Sequence, residues 1–303
     1  MADVAATIET REELVPALGI QRVGVVGCGL MGSGIAEVCA RAGLDVVVVE
    51  VADGALAAGR RRIEASLAKA VDRGKLAPED RAEALERLRF STRMADLADR
   101  QLVVEAVIER FDVKAAVFEQ VDAITAPGTI LASNTSSIPI MKLAMVTQRP
   151  QDVVGMHFFN PVPVMKLVEL VTSLLSSDET ASRAAEFAGG VLHKRVIRSQ
   201  DRAGFIVNAL LIPYLLSAIR MLESGFATAS DIDAGMVEGC AHPMGPLALS
   251  DLIGLDTVAA VAESLYDEFK EPLYAPPPLL DRMCEAGLLG RKTGRGFYVY
   301  NGQ

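Results

Sequence analysis

The sequence predicts an α/β protein: a domain built on a mainly parallel sheet covered by helices, followed by a smaller all-helical domain. Three observations lead there. Short β-branched runs alternate with helix-like segments through the first two thirds of the chain. Beyond about residue 200 the strand signal stops until residues 296–300. A glycine pattern also sits between the first strand-like run and the first helix-like segment.

Residues 22–27 (RVGVVG) read as a strand closed by glycine, and 33–42 as a helix with Gly43 at its C′ position. Residues 45–50 (DVVVVE) form a continuous β-branched run, expected of a strand buried on both faces. Residues 55–71 and 78–88 read as helices, 102–107 as a strand and 112–124 as a helix. A strand at 129–132 leads into a polar loop, 133–137. Strands are then expected at 153–158, 167–171 and 194–198. The stretch 204–223 reads as one apolar helix kinked at Pro213, because proline removes a backbone donor and crowds the preceding turn. Helices at 231–240, 256–269 and 278–286 follow, with Pro276, Pro277 and Pro278 as a stiff connector and a last strand at 296–300. The expected organisation is an N-terminal extension (1–20), an α/β domain (21–199) and a helical domain (200–303) that binds substrate and dimerises.

Composition narrows the function. The 303 residues are 50% hydrophobic and carry a net charge of −9, so no basic face for nucleic acid is expected. The uncharged stretch 203–219 falls short of the ~20 residues of a membrane span and is interrupted by Asn208, Pro213 and Ser217. Residues 1–20 mix Asp3, Glu9, Arg11, Glu12 and Glu13, unlike a secretory signal. The four cysteines, Cys28, Cys39, Cys240 and Cys284, show neither a C-x-x-C pair nor a zinc-type cluster. Four reduced thiols in a cytoplasmic protein are therefore expected.

Gly27, Gly29 and Gly32 form G-x-G-x-x-G (GCGLMG), with Leu30 and Met31 inside it. The first glycine makes the tight turn, the second admits a pyrophosphate and the third allows close helix–strand packing. The phosphates would lie at a helix N-terminus. This is the fingerprint of a Rossmann-type dinucleotide-binding domain. Glu50 ends the second strand, where a carboxylate accepts the adenosine ribose hydroxyls and repels a 2′-phosphate. Val51, Ala52 and Asp53 supply no arginine for such a phosphate, which favours NAD over NADP.

The segment 155–170, GMHFFNPVPVMKLVEL, puts His157, Asn160 and Glu169 on two strand-like pieces joined by a proline-rich turn. Oxidising an alcohol by hydride removal needs a base for the hydroxyl proton, and histidine titrates near operating pH. A glutamate on its second ring nitrogen would fix tautomer and orientation. On spacing alone, His157 fits a satisfied core histidine at least as well.

At these residues the chain resembles the 3-hydroxyacyl-CoA dehydrogenases over roughly residues 21–300. The motifs are GCGLMGSGIA from Gly27, ASNTSS from Ala132, HFFNPVPVMKLVE from His157, GFIVN from Gly204 and GRKTGRGFYVY from Gly290. The resemblance implies that His157 is the general base in oxidation and the acid in reduction, with Glu169 as its partner. It implies that Ser136 and Asn208 bond the reacting oxygen of the substrate. Asn134 and Asn160 would support the site beside the cofactor, and Glu109 and Lys114 would contact the nicotinamide ribose and its surroundings. Ser66 and Arg73 occupy the positions that contact CoA, with arginine where the family has lysine. Glu50 stands where an aspartate is common. His193 and His242 match no catalytic position and are expected to be structural.

The expected enzyme interconverts 3-hydroxyacyl-CoA and 3-oxoacyl-CoA with NAD, acts on short chains as a free-standing homodimer, and uses no metal. Two alternatives are weighed: a free 3-hydroxy acid dehydrogenase, which would rely on a catalytic lysine, and a non-catalytic dinucleotide-binding member, which would carry a broken His–Glu pair.

Overall fold

The computed structural model describes residues 19–300. The expected extension, residues 1–20, therefore lies almost wholly outside the described residues. The chain divides into two units between Asp201 and Arg202.

The first unit is an eight-stranded sheet of order β3-β2-β1-β4-β5-β6-β7-β8. Its strands are β1 (Arg22–Val26), β2 (Asp45–Val49), β3 (Leu88–Ser91), β4 (Leu102–Glu105), β5 (Ile130–Ser133), β6 (Val153–Phe158), β7 (Leu167–Thr172) and β8 (Arg195–Gln200). Every pairing is parallel except β6 with β7. The chain departs from β1 toward β2 and later returns on its other side as β4. The crevice beyond the carboxyl ends of β1 and β4 is thus the switch point at which such sheets bind ligands. The middle strands are buried on both faces: Val46 to Val49 and all of β6 are inaccessible or nearly so. That burial explains runs of β-branched residues without alternation.

Helices α1 (Leu30–Arg41), α2 (Asp53–Asp72), α3 (Pro78–Glu86), α4 (Phe111–Ile124), α5 (Ile140–Ala144) and α6 (Asp178–Glu186) belong to this unit. α1 ends as its sequence dictates. Gly43 has φ +91°, its N–H donates to Ala40 and that of Leu44 donates to Cys39, closing a Schellman motif. α1 packs Ile35, Ala36, Cys39 and Ala40 into the core with Val23, Val25, Val46 and Val48.

The second unit holds α7 (Val207–Glu223), α8 (Ala229–Cys240), α9 (Pro246–Ile253), α10 (Leu255–Phe269) and α11 (Pro278–Glu285). Its core joins Leu215, Leu216 and Ile219 of α7 to Leu255, Val258, Ala262 and Leu265 of α10 and to Leu247 and Leu280. α7 carries Pro213 inside it.

Several expectations need correction. The helix expected to reach residue 88 stops at Glu86, and Leu88–Ser91 becomes β3, pairing with β2. α5, α6 and α9, of 5, 9 and 8 residues, are not among the expected helices. The strand expected at 296–300 is not formed. Arg295 makes only isolated bridges to Gly290 and Val299. The amides of Phe297 and Tyr298 instead donate to the buried carboxylate of Asp251, 3.0 Å each, and the Tyr298 hydroxyl donates to Asp233 at 2.8 Å. Side-chain acceptors thus take the donors that a sheet ladder would have used.

Candidate active site

The glycine fingerprint forms the turn from β1 into α1. Gly27 has φ +95°, and a Cβ there would lie 2.6 Å from the Ala106 carbonyl oxygen. A Cβ on Gly32 would overlap the Gly27 carbonyl, so helix and turn touch through bare backbone. Gly29 differs: a Cβ there would meet nothing within 4 Å. No side chain caps α1, whose N-cap is Gly29, and no acidic residue lies in its first turn. The first-turn N–H groups and the helix dipole are therefore suited to a pyrophosphate. Leu30 is exposed and Met31 half-buried beside this turn.

Glu50 stands at the end of β2, where its carboxylate accepts from the Cys28 N–H and the Val51 N–H, both at 2.9 Å. The acid thus braces the loop at the edge where an adenosine ribose would lie. Gly59 of α2 supports the same loop, since a Cβ on it would collide with the Cys28 sulfur. Burial, reinforced by the negative charge of Glu50, pushes the Cys28 thiol up to about 11, so it is a packing group rather than a nucleophile.

Beyond β4 lies a charged network. Lys114, 1% exposed, pairs with Glu105 at 2.7 Å and Glu109 at 3.2 Å. Glu105 also accepts from the Ser133 hydroxyl at 2.6 Å and the Val107 N–H at 2.7 Å. Glu109 gathers the polar loop after β5: its Oε1 accepts from Thr135 Oγ1 (2.5 Å), the Ser136 N–H (2.9 Å) and both the N–H (3.1 Å) and hydroxyl (2.9 Å) of Ser137. The Ser136 hydroxyl is 3.4 Å from the same oxygen. Burial would raise the Glu109 carboxyl, but the Lys114 charge and these donors outweigh it and hold it below the usual carboxylate range. Glu109 and Lys114 are therefore an ion pair with a buried cation, in which Lys114 is the internal counter-ion of two carboxylates.

His157 and Glu169 lie directly opposite each other on the antiparallel strands β6 and β7. Their register places His157 Nδ1 2.7 Å from Glu169 Oε2. His157 is 7% exposed and Glu169 fully buried. Phe159 packs against the imidazole, with ring centroids 4.6 Å apart. The connecting turn carries exposed Asn160, followed by Pro161 across a cis peptide bond. Asn134 ties this hairpin to the loop after β5, because its Oδ1 accepts from the Phe158 N–H at 2.8 Å while its own N–H donates to the Glu105 carbonyl at 2.9 Å. Ser136, Glu109, Asn134, His157 and Glu169 thus sit on adjoining loops and strands of one sheet, with Lys114 reaching in from α4.

The remaining expected residues fall elsewhere. Ser66 and Arg73 are on and just beyond α2; Arg73 is exposed and Ser66 half-buried. Asn208 lies in the first turn of α7, in the second unit. His193 is exposed at positive φ, and His242 Nδ1 is 3.2 Å from the Tyr214 hydroxyl. Sequence reasoning missed Glu105, whose signal was an acidic residue closing an apolar strand (LVVE), and Gly59, which left no local signal. Among the described residues no cluster suited to a metal ion occurs, and no helix is long and apolar enough to cross a membrane.

The family model of the 3-hydroxyacyl-CoA dehydrogenase NAD-binding domain matches residues 22–202, and that of the C-terminal domain matches residues 204–300. A 3-hydroxybutyryl-CoA dehydrogenase of Mycobacterium tuberculosis is 60% identical over 282 residues, spanning 93% of this chain and 99% of its own. A mitochondrial hydroxyacyl-coenzyme A dehydrogenase of Sus scrofa is 40% identical, spanning 93% and 91%. The crystal structure of M. tuberculosis FadB2 superposes with TM-score 0.92 at 59% identity, over 93% of this chain and 99% of that one. That of (S)-3-hydroxybutyryl-CoA dehydrogenase from Ralstonia eutropha gives TM-score 0.89 at 47% identity, over 93% and 100%. The glycine turn, the acid at the end of β2 and both family models agree, and the chain belongs to the 3-hydroxyacyl-CoA dehydrogenase family, with the family's NAD-binding domain at residues 22–202.

Proposed function

We propose that the protein interconverts (S)-3-hydroxyacyl-CoA and 3-oxoacyl-CoA esters, short chains first, with His157 as acid/base and Glu169 as its partner. The observation that carries this reading is the 2.7 Å contact between His157 Nδ1 and Glu169 Oε2 within a buried cross-strand pair. With Nδ1 committed to the carboxylate, proton exchange with substrate falls to Nε2. In oxidation Nε2 takes the 3-hydroxyl proton; in reduction it returns a proton to the 3-oxo oxygen. The imidazole gains positive charge in the oxidative transition state, and an ionised Glu169 beside it stabilises that charge. Bound NAD⁺ supplies the acceptor for the hydride leaving C3. Gly27, Gly29, Leu30, Met31 and Gly32 would hold its pyrophosphate, Glu50 its adenosine ribose and Glu109 its nicotinamide side. Ser136 would orient the reacting oxygen, and Ser66 and Arg73 would contact CoA. The short-chain assignment rests on the 3-hydroxybutyryl-CoA dehydrogenases among the relatives.

The test is reduction of 3-oxoacyl-CoA esters of increasing length, beside free 3-oxo acids, with NADH and with NADPH. Turnover should be fastest with 3-oxobutyryl-CoA and NADH and undetectable with the free acid. Glu50→Ser should narrow the preference for NADH, since it removes the charge that repels a 2′-phosphate. Faster reaction with NADPH in the unmodified protein at equal low concentration, or preference for the free acid, would contradict the reading.

We also infer a homodimer formed through residues beyond about 200. Leu210, Phe226 and Leu252 of the helical unit are 73%, 79% and 50% exposed, the kind of apolar surface that a two-fold mate covers. Light scattering at micromolar concentration should give twice the chain mass, and a monomer would count against it.

A further inference from the structure

The turn between β6 and β7 joins the two strands that carry His157 and Glu169, so its rigidity bears directly on that pair. Its own hydrogen bonds are few: the N–H groups of Val164 and Met165 both donate to the Pro161 carbonyl at 2.9 Å. Three outside contacts hold it. Val162 packs against Gly34 of α1, where a Cβ would come within 2.8 Å of the Val162 Cβ. Lys194, just before β8, reaches across the turn and donates from one ammonium to two carbonyls, Val162 and Met165, each at 2.6 Å. The Arg195 N–H adds a bond to the Lys166 carbonyl at 2.6 Å.

The ammonium is half-buried near charged groups on α1. Among them, Glu37 is 1% exposed and lies 3.5 Å from Arg41. Burial and the positive charge of Arg41 hold the Lys194 ammonium below its usual range, with Cys39 and Glu37 acting in the opposite sense. A neutral aliphatic side chain at this position would leave both carbonyls without their donor.

We propose that Lys194 is a positioning residue for catalysis, clamping the 160–166 turn so that His157 and Glu169 keep their register; this rests on the acid/base reading given above. A proton-transfer pair loses about 10²-fold for a displacement of about 1 Å, so even slight slackening of the turn is read in kcat. The glycine turn and Glu50, which would hold most of the cofactor, lie outside the clamped segment, so NADH binding should be largely spared.

The test combines hydrogen exchange with kinetics. In Lys194→Met, the Val164 and Met165 amides should exchange faster than in the unmodified protein. The kcat for 3-oxobutyryl-CoA should fall about 10- to 10²-fold, with KM for NADH within about twofold. Lys194→Arg, which still offers two donors, should recover most of the kcat. Lys194→Gln, with one amide group for two carbonyls, should fall between and serves if the methionine variant does not fold. Unchanged exchange overturns the clamp. Faster exchange with normal kcat overturns its catalytic role, as does an arginine variant no better than methionine. Absence of turnover in the unmodified protein would instead overturn the acid/base reading, while the exchange result still reports on the clamp.

Discussion

Replacing His157 with glutamine should lower kcat for 3-oxobutyryl-CoA reduction by about 10²- to 10⁴-fold, the range typical of a lost general acid. Glutamine retains polar atoms in the pocket but cannot exchange a proton near neutral pH. NADH binding, measured by fluorescence titration, should change little, because the glycine turn and Glu50 lie on β1, α1 and β2 rather than on the β6–β7 hairpin. Glu169→Gln should also lower kcat strongly while leaving NADH affinity nearly intact. It preserves the size of the side chain and one hydrogen-bonding oxygen and removes only the charge. The 2.7 Å contact can then persist as a neutral hydrogen bond, with a weaker hold on the imidazolium.

The second large effect concerns stability. Lys114→Met should destabilise the first unit by about 3–5 kcal/mol, the cost of breaking a buried ion pair from one side. Glu105 is 2% exposed in its side chain and would be left among apolar strands with only Ser133 and Val107 as donors. Thermal or urea unfolding of the first unit measures this. The double substitution Glu105→Leu/Lys114→Met removes both charges and should recover much of the loss. A single variant as stable as the unmodified protein would show that the pair is not structural. The same cation helps hold the Glu109 carboxyl low. A carboxylate with a depressed folded-state pKa contributes stability that is present above its unfolded value, about 4.3, and lost as pH falls through the folded one. Without Lys114, that acid loss should begin at higher pH.

How much of this was legible in the sequence depends on whether the signal is local. Continuous valine runs such as 46–49 announce a strand buried on both faces, and Gly27, Gly29 and Gly32 announce the turn, because each needs only neighbouring residues to be understood. β3 was obscured because four residues directly after a helix show no clear alternation. The final segment misled in the opposite sense: GFYVY has strand composition, yet Asp251 and Asp233 take its donors from elsewhere in the chain. In the site, the spacing of His157 and Glu169 suggested a returning hairpin, and their antiparallel register makes them direct neighbours. Lys114 could not be read the same way. The resemblance implied a cofactor contact and its charge a surface ion pair with Glu109, and only the fold buries it between Glu105 and Glu109. Lys194 likewise gains its meaning from a turn that lies 29–32 residues earlier in the chain.

The central claim is that His157 and Glu169 act as one unit, and the double-mutant cycle tests it most directly. The kcat for 3-oxobutyryl-CoA reduction should be measured for the unmodified protein, His157→Gln, Glu169→Gln and the two combined. If the glutamate acts through the imidazole, the double variant should be scarcely slower than His157→Gln alone, because the charge of Glu169 has nothing left to stabilise. Losses that multiply independently in the double variant would contradict the paired mechanism and assign Glu169 a separate role.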